Sequence, residues 1–111
     1  MAFTKVCQVE DLWEGEMESF RVDGKEVLLV CADGGAIKAF QGICPHQDIP
    51  LIDGKFDGKK IICKAHLWQF DAGTGKGINP SNCALAEYPV QIDGNDVLID
   101  TANVEPLFAQ A

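Results

Sequence analysis

The chain has 111 residues, is 47% hydrophobic, and sets 17 acidic against 9 basic residues for a formal net charge of −8. That is one domain's worth of chain with enough apolar residues for a core, and no stretch approaches the roughly 20 apolar residues of a membrane span. The acidity argues against a nucleic-acid binder, which must neutralise phosphates with Lys and Arg, and it favours partners with basic docking faces. Residues 1–5 lack the apolar core and cleavage site of a signal peptide, so a cytoplasmic protein is expected. Five cysteines, an odd number, then speak against a disulfide framework.

In chain order, residues 10–14 suggest one short helix stopped by Gly15, and Trp13 in it is expected in the core. Five Asp-Gly pairs follow, at 23–24, 33–34, 53–54, 57–58 and 93–94. Asp-Gly supplies the positive backbone angles of tight hairpin turns. Strand-like residues flank most of them: 19–22 and 27–31 around the first, 36–40 after the second, Phe56 and 60–63 around the fourth, 90–92 and 97–99 around the last. Short strands punctuated by turns predict an all-β, antiparallel sandwich or barrel. Pro106 keeps the tail, residues 104–111, from regular structure at its start. One domain, 1–111, is expected, with a small lobe at about 43–70 inserted into the β base.

That lobe holds the chemistry. Cys44-Pro45-His46 and Cys63-Lys64-Ala65-His66 form one Cys-x-His and one Cys-x-x-His box, and the two histidines are the only ones in the chain. Two Cys and two His are the ligands of a Rieske [2Fe–2S] centre, in which His replaces Cys on one iron. Structural zinc is the competing account, but its common spacing pairs Cys with Cys and His with His, whereas here each box is mixed. Formal charges explain what the mixed set does. Two ferric ions, two sulfides and two thiolates sum to zero, and one electron makes the centre −1. Four thiolates would make it more negative at both stages. The potential therefore rises, to about −150 to +300 mV against about −400 mV for plant-type ferredoxins, and the added electron belongs on the imidazole-bound iron. Cys7, Cys31 and Cys83 have no neighbouring His and read as structural thiols.

At these residues the chain resembles the Rieske ferredoxins. Phe70-Asp71-Ala72-Gly73-Thr74-Gly75 after the second box is similar to their Phe-Asp-x-x-Thr-Gly, and Asn79-Pro80 looks like the start of the proline-containing loop that covers the cluster. Cys44-Pro45-His46-Gln47, Ala65-His66-Leu67-Trp68, Gly77-Ile78-Asn79-Pro80 and residues 85–90 resemble the ferredoxin component of toluene monooxygenase systems, a similarity that covers nearly the whole chain. The resemblance implies the Rieske fold, a β base with a two-loop cluster lobe. It implies Cys44 and Cys63 on one iron, and His46 and His66 on the other near the surface. It implies an electron carrier, not an enzyme, that takes single electrons from an NADH-dependent flavin and iron–sulfur reductase. The acceptor would be a di-iron hydroxylase acting on aromatic hydrocarbons. The free protein would be a monomer. Respiratory Rieske proteins carry an extra Cys in each box and a Gly-Ser after the second His. Here Ile49, Ala65 and Leu67-Trp68 stand instead. Fewer hydrogen bonds to sulfur then predict a potential low in the Rieske range.

Other residues weigh in more weakly. Trp68, two residues past a ligand, reads equally as a docking surface and as packing under the second loop. Gln47 and Asp48 beside the first box, and Pro80 in the proline-containing loop, are candidates for the same docking rim. Gly73-Thr74-Gly75-Lys76-Gly77 lacks the Ser or Thr and the first Gly of a phosphate loop, so turn glycines explain it better. An oxygenase would need a mononuclear iron with its own histidines, and none remain. A zinc-stabilised interaction module, a nitrite-reductase-like small subunit and a dioxygenase-system carrier stand as alternatives.

Overall fold

The computed structural model describes residues 3–22, 24–45, 49–64, 68–79, 84–101 and 104. Among the described residues eleven strands run in chain order: β1 Thr4–Gln8, β2 Met17–Val22, β3 Lys25–Cys31, β4 Ile37–Gln41, β5 Lys55–Phe56, β6 Lys60–Ile62, β7 Gln69–Asp71, β8 Gly77–Asn79, β9 Glu87–Tyr88, β10 Val90–Asp93 and β11 Asp96–Ile99. Two single 3-10 turns, Val9–Asp11 and Leu51–Asp53, complete the regular structure of the described residues. The strands form three antiparallel sheets, ordered β1-β11-β10, β2-β3-β4-β9 and β5-β6-β7-β8. The all-β expectation holds.

The central sheet is β2-β3-β4-β9, and β3 shows why. Its burial is continuous from Val27 to Cys31 rather than alternating, the mark of a strand covered on both faces. Strand side chains alternate between faces. Leu28, Val30 and, on β4, Phe40 enter one core cluster with Ile61 and Phe70 of the third sheet. Val27, Leu29, Cys31 and Ala39 enter a second cluster with Val97 and Ile99 of the first sheet. The molecule therefore has two cores separated by one sheet.

Turn chemistry supports this plan. Asp33-Gly34 lies between β3 and β4, Asp57-Gly58 between β5 and β6, and Asp93-Gly94 between β10 and β11; the three glycines take φ of 94°, 95° and 63°. Asp57 also accepts the amides of Lys59 and Lys60 at 2.9 and 2.7 Å, which closes the β5–β6 turn. Those N–H donors, with Lys60 nearby, hold its carboxyl below the usual range.

Two expectations change. The short helix at 10–14 is instead the 3-10 turn Val9–Asp11, after which Leu12 is already extended. Trp13 is not in the core: it is 71% exposed, whereas Leu12 is 4% exposed. Leu12 points into the second core cluster, so its neighbour faces out. Trp13 satisfies its indole N–H at the surface by donating to the Glu10 carbonyl at 2.9 Å.

Candidate functional site

The two Cys-His boxes begin at the ends of strands and are built alike. Cys44 follows β4 through Gly42 and Ile43, and its amide donates to the Ile49 carbonyl at 3.0 Å. Cys63 directly follows β6, and its amide donates to the Trp68 carbonyl at 2.7 Å. Each loop is thus closed by the amide of its own cysteine onto the residue five places later. Isolated bridging between Ile43 and Pro50 extends the first closure, and the β6–β7 ladder extends the second. His46, Gln47, Asp48, His66 and Pro80 lie outside the described residues.

Cys44 and Cys63 are both fully buried, and neither is held in a disulfide. They share one core cluster with Leu51, Ile61, Phe70 and Leu85. Cys31 lies on the other side of the central sheet, and Cys7 packs at the edge of that second core. The four described cysteines thus divide two and two between the cores. Burial raises the thiol pKa of both Cys7 and Cys31. Asp11 and Glu18 push Cys7 further, and Glu14 and Glu16 push Cys31 further. Neither thiol is set up as a thiolate, in keeping with the structural role expected of them. Cys83 lies outside the described residues.

A Rieske [2Fe–2S] cluster takes two thiolates on one iron and two imidazoles on the other. Cys44 and Cys63 match that donor chemistry and the loop pair that would present it. Trp68 is half-buried and packs against the same core cluster, as its parity with Phe70 on the neighbouring strand requires. Gly73-Thr74-Gly75-Lys76-Gly77 is the turn between β7 and β8, pinned by Asp71 accepting the Gly73 amide at 2.8 Å. Gly75 takes φ of +79°, and a Cβ there would press on the Leu85 carbonyl and the Phe40 ring at 2.8 and 3.0 Å.

One residue carried no signal in the sequence. Gln41, 1% exposed, ends β4 just before the first box. Its side-chain amide donates to the Ile43 carbonyl at 2.8 Å and accepts the Ala86 amide at 2.8 Å. It therefore ties the root of the first loop to the segment that follows residues 80–83. A lone Gln at a strand end has no pattern to betray this role.

Comparisons with known proteins agree with the geometry. A family model described as the Rieske [2Fe-2S] domain matches residues 2–89. The ferredoxin component of the alkene monooxygenase system of Xanthobacter autotrophicus is 49% identical, over 95% of this chain and 84% of its own. The ferredoxin of carbazole 1,9a-dioxygenase from Nocardioides aromaticivorans superposes with a TM-score of 0.80 at 30% identity, covering 89% of this chain and 97% of that one. A chain in a solved complex of oxygenase and ferredoxin of carbazole 1,9a-dioxygenase superposes with a TM-score of 0.79 at 25% identity, over 87% of this chain and 91% of that one.

Proposed function

Because the chain belongs to the Rieske [2Fe–2S] domain family, we propose that Cys44 and Cys63 hold one iron of its cluster and His46 and His66 the other. The protein is a Rieske-type ferredoxin, an electron-transfer component of an oxygenase system and not itself an enzyme. The observation that carries the ligand assignment is the partition of thiols: two buried cysteines head matching loops on one core, and the other two described cysteines lie with the opposite core. The cluster supplies one-electron storage and release. The chain keeps water from the sulfur side through Leu51, Ile61 and Phe70 and closes each loop on its own cysteine. Residues 43–70 act as the cluster lobe of the single domain.

The electron donor in this reading is an NADH-dependent reductase and the acceptor is the di-iron hydroxylase of a hydrocarbon monooxygenase. The 49% identity to an alkene monooxygenase ferredoxin supports the monooxygenase; the resemblance to toluene-system ferredoxins supports an aromatic substrate. Gln47, Asp48, Trp68 and Pro80 form the docking rim at the imidazole side. The carrier works as a cytoplasmic monomer. Among the described residues no helix is long and apolar enough to cross a membrane.

Iron and acid-labile sulfide analysis of Cys63→Ser, beside Cys31→Ala as control, tests the ligand set. The expected result is loss of the visible absorption in the first and a full cluster in the second. An intact cluster in Cys63→Ser, or a bleached one in Cys31→Ala, overturns the assignment.

A further inference from the structure

The charge of this molecule is unevenly placed. Residues 43–79 hold five lysines against four aspartates, a formal +1, and the rest of the chain, with four basic and thirteen acidic residues, carries −9. The four basic residues outside that segment are engaged within the chain. Lys5 pairs with Asp96 at 3.2 Å, Arg21 with Glu26 and Lys38 with Glu87 at 3.6 Å each. Lys25 donates to the Thr101 and Val104 carbonyls at 2.7 and 3.0 Å. By contrast, among the described residues none of Lys55, Lys59, Lys60, Lys64 and Lys76 makes an ion pair.

Sheet register shows where the free charges stand. Lys55 is opposite Ile62, and Ile62 opposite Gln69, whereas Phe56, Ile61 and Phe70 form the alternate, inward row. Lys55, Ile62 and Gln69 therefore share the outer face of the third sheet. With Lys64, Asp53 and Cys63 they line a surface cavity of about 330 Å³. This cavity has an apolar floor, two unpaired ammonium groups against one carboxylate, and a proposed iron ligand in its wall.

From this arrangement we infer that the outer face of β5-β6-β7, centred on the cavity between Lys55 and Lys64, docks a carboxylate-bearing surface of a redox partner protein beside Cys63. The inference rests on the reading of Cys63 as a cluster ligand. It reverses the expectation drawn from net charge alone. A basic partner would be drawn first to the −9 remainder of the chain, away from the cluster. An acidic partner is repelled there and attracted only at the lobe, so the field itself turns the cluster toward it. Charge placement steers encounter in this way without a large gain in affinity.

The test uses holoprotein and two defined anionic probes. Reduced wild type, Lys55→Glu/Lys64→Glu and Lys5→Glu/Lys38→Glu are oxidised by ferricyanide in a stopped-flow across ionic strengths. The two double variants have the same net charge, so only the location of the change differs. For wild type the rate is expected to fall as salt rises, although the protein is net negative. The lobe variant is expected to be slower by about tenfold at low salt with an inverted salt dependence; the other variant stays within about twofold of wild type (same basis). Poly-L-glutamate, standing in for an acidic protein surface, should slow ferricyanide in wild type and not in the lobe variant. Equal behaviour of the two double variants, or a wild-type rate that climbs with salt, overturns the inference. Visible absorption of each variant reports whether the cluster is retained, and the Cys63→Ser analysis reports separately on the ligand assignment. If Lys55→Glu/Lys64→Glu loses its cluster, Lys55→Gln/Lys64→Gln carries the same comparison with a smaller charge change.

Discussion

Gly54→Ala is the perturbation that most directly probes how the chain around Cys63 is held in place. Gly54 ends the 3-10 turn Leu51–Asp53 with φ of −87°, outside the left-handed region. The obstacle is space. A Cβ would overlap the Ile62 carbonyl oxygen and lie 3.1 Å from the Ile62 carbonyl carbon and 3.2 Å from the Lys64 amide nitrogen. All three atoms are backbone, on either side of Cys63, and none can rotate away. Restoring ordinary contact separates the two chain segments by about an ångström, since carbon atoms pack best at about 3.5–4.0 Å. Overpacking costs about 1–3 kcal/mol, and rigid neighbours put this case at the upper end, about 3 kcal/mol. With a urea slope of about 2 kcal/mol per M, the unfolding midpoint drops by about 1.5 M, and cluster absorption per protein falls because Cys63 moves with Ile62. Gly73→Ala is the control. Its Cβ would meet only the Asp71 carboxylate, at 3.3 Å, and the expected change is within about 0.5 kcal/mol. If Gly54→Ala unfolds with Gly73→Ala and keeps full absorption, the close approach does not position the second loop.

Gln41→Leu keeps the volume but strands the Ile43 carbonyl and the Ala86 amide, at a cost of about 1–3 kcal/mol for each group; urea unfolding should show it, and faster hydrogen exchange at Ala86 should accompany it. Asp57 ties stability to acid pH. Its folded pKa is depressed by the Lys59 and Lys60 amides, so its contribution is present above the unfolded value of about 3.9 and is lost as pH falls through the folded one. Unfolding of Asp57→Ala should therefore depend less on pH below about 4 than wild type does (unfolded carboxyl value as above), and a parallel pair of curves would remove the residue from the acid response.

The chemistry was legible in the sequence because chemistry-bearing residues were few. With two histidines, each set close to a cysteine, the boxes could be read without a fold. Hairpin turns were legible for a similar reason: Asp-Gly at 33–34, 57–58 and 93–94 marks positive φ that few other pairs supply. Asp53-Gly54 shows the limit of that signal. Its glycine is needed for close approach to Ile62, not for a left-handed turn, and composition does not separate the two uses. Strand β1 was missed because no Asp-Gly turn marks it, and β7, β8 and β9 because two or three residues hold no alternation to detect. Trp13 was misjudged because propensity speaks for a residue type, whereas the direction of the chain at Leu12 decides which of two neighbours is buried.

The separation of cysteines by core follows from strand register more than from cysteine spacing. Cys31 shares parity with Val27 and Leu29, so it lies on the face away from Cys44 and Cys63. A slip of one residue in β3 would exchange the faces, bringing Cys31 into the core of Cys44 and Cys63 as a third buried thiol. β3 is held against this from both edges, through Met17↔Val30 to Val22↔Lys25 on β2 and Val27↔Gln41 to Cys31↔Ile37 on β4. A slip would also send Leu28 and Val30 into the opposite core and pull Val27 and Leu29 out of it, disturbing two packed clusters at once. A sheet covered on one side would resist with one core only. The double burial that makes β3 a continuous apolar run is thus also what keeps a third thiol out of the core that holds Cys44 and Cys63.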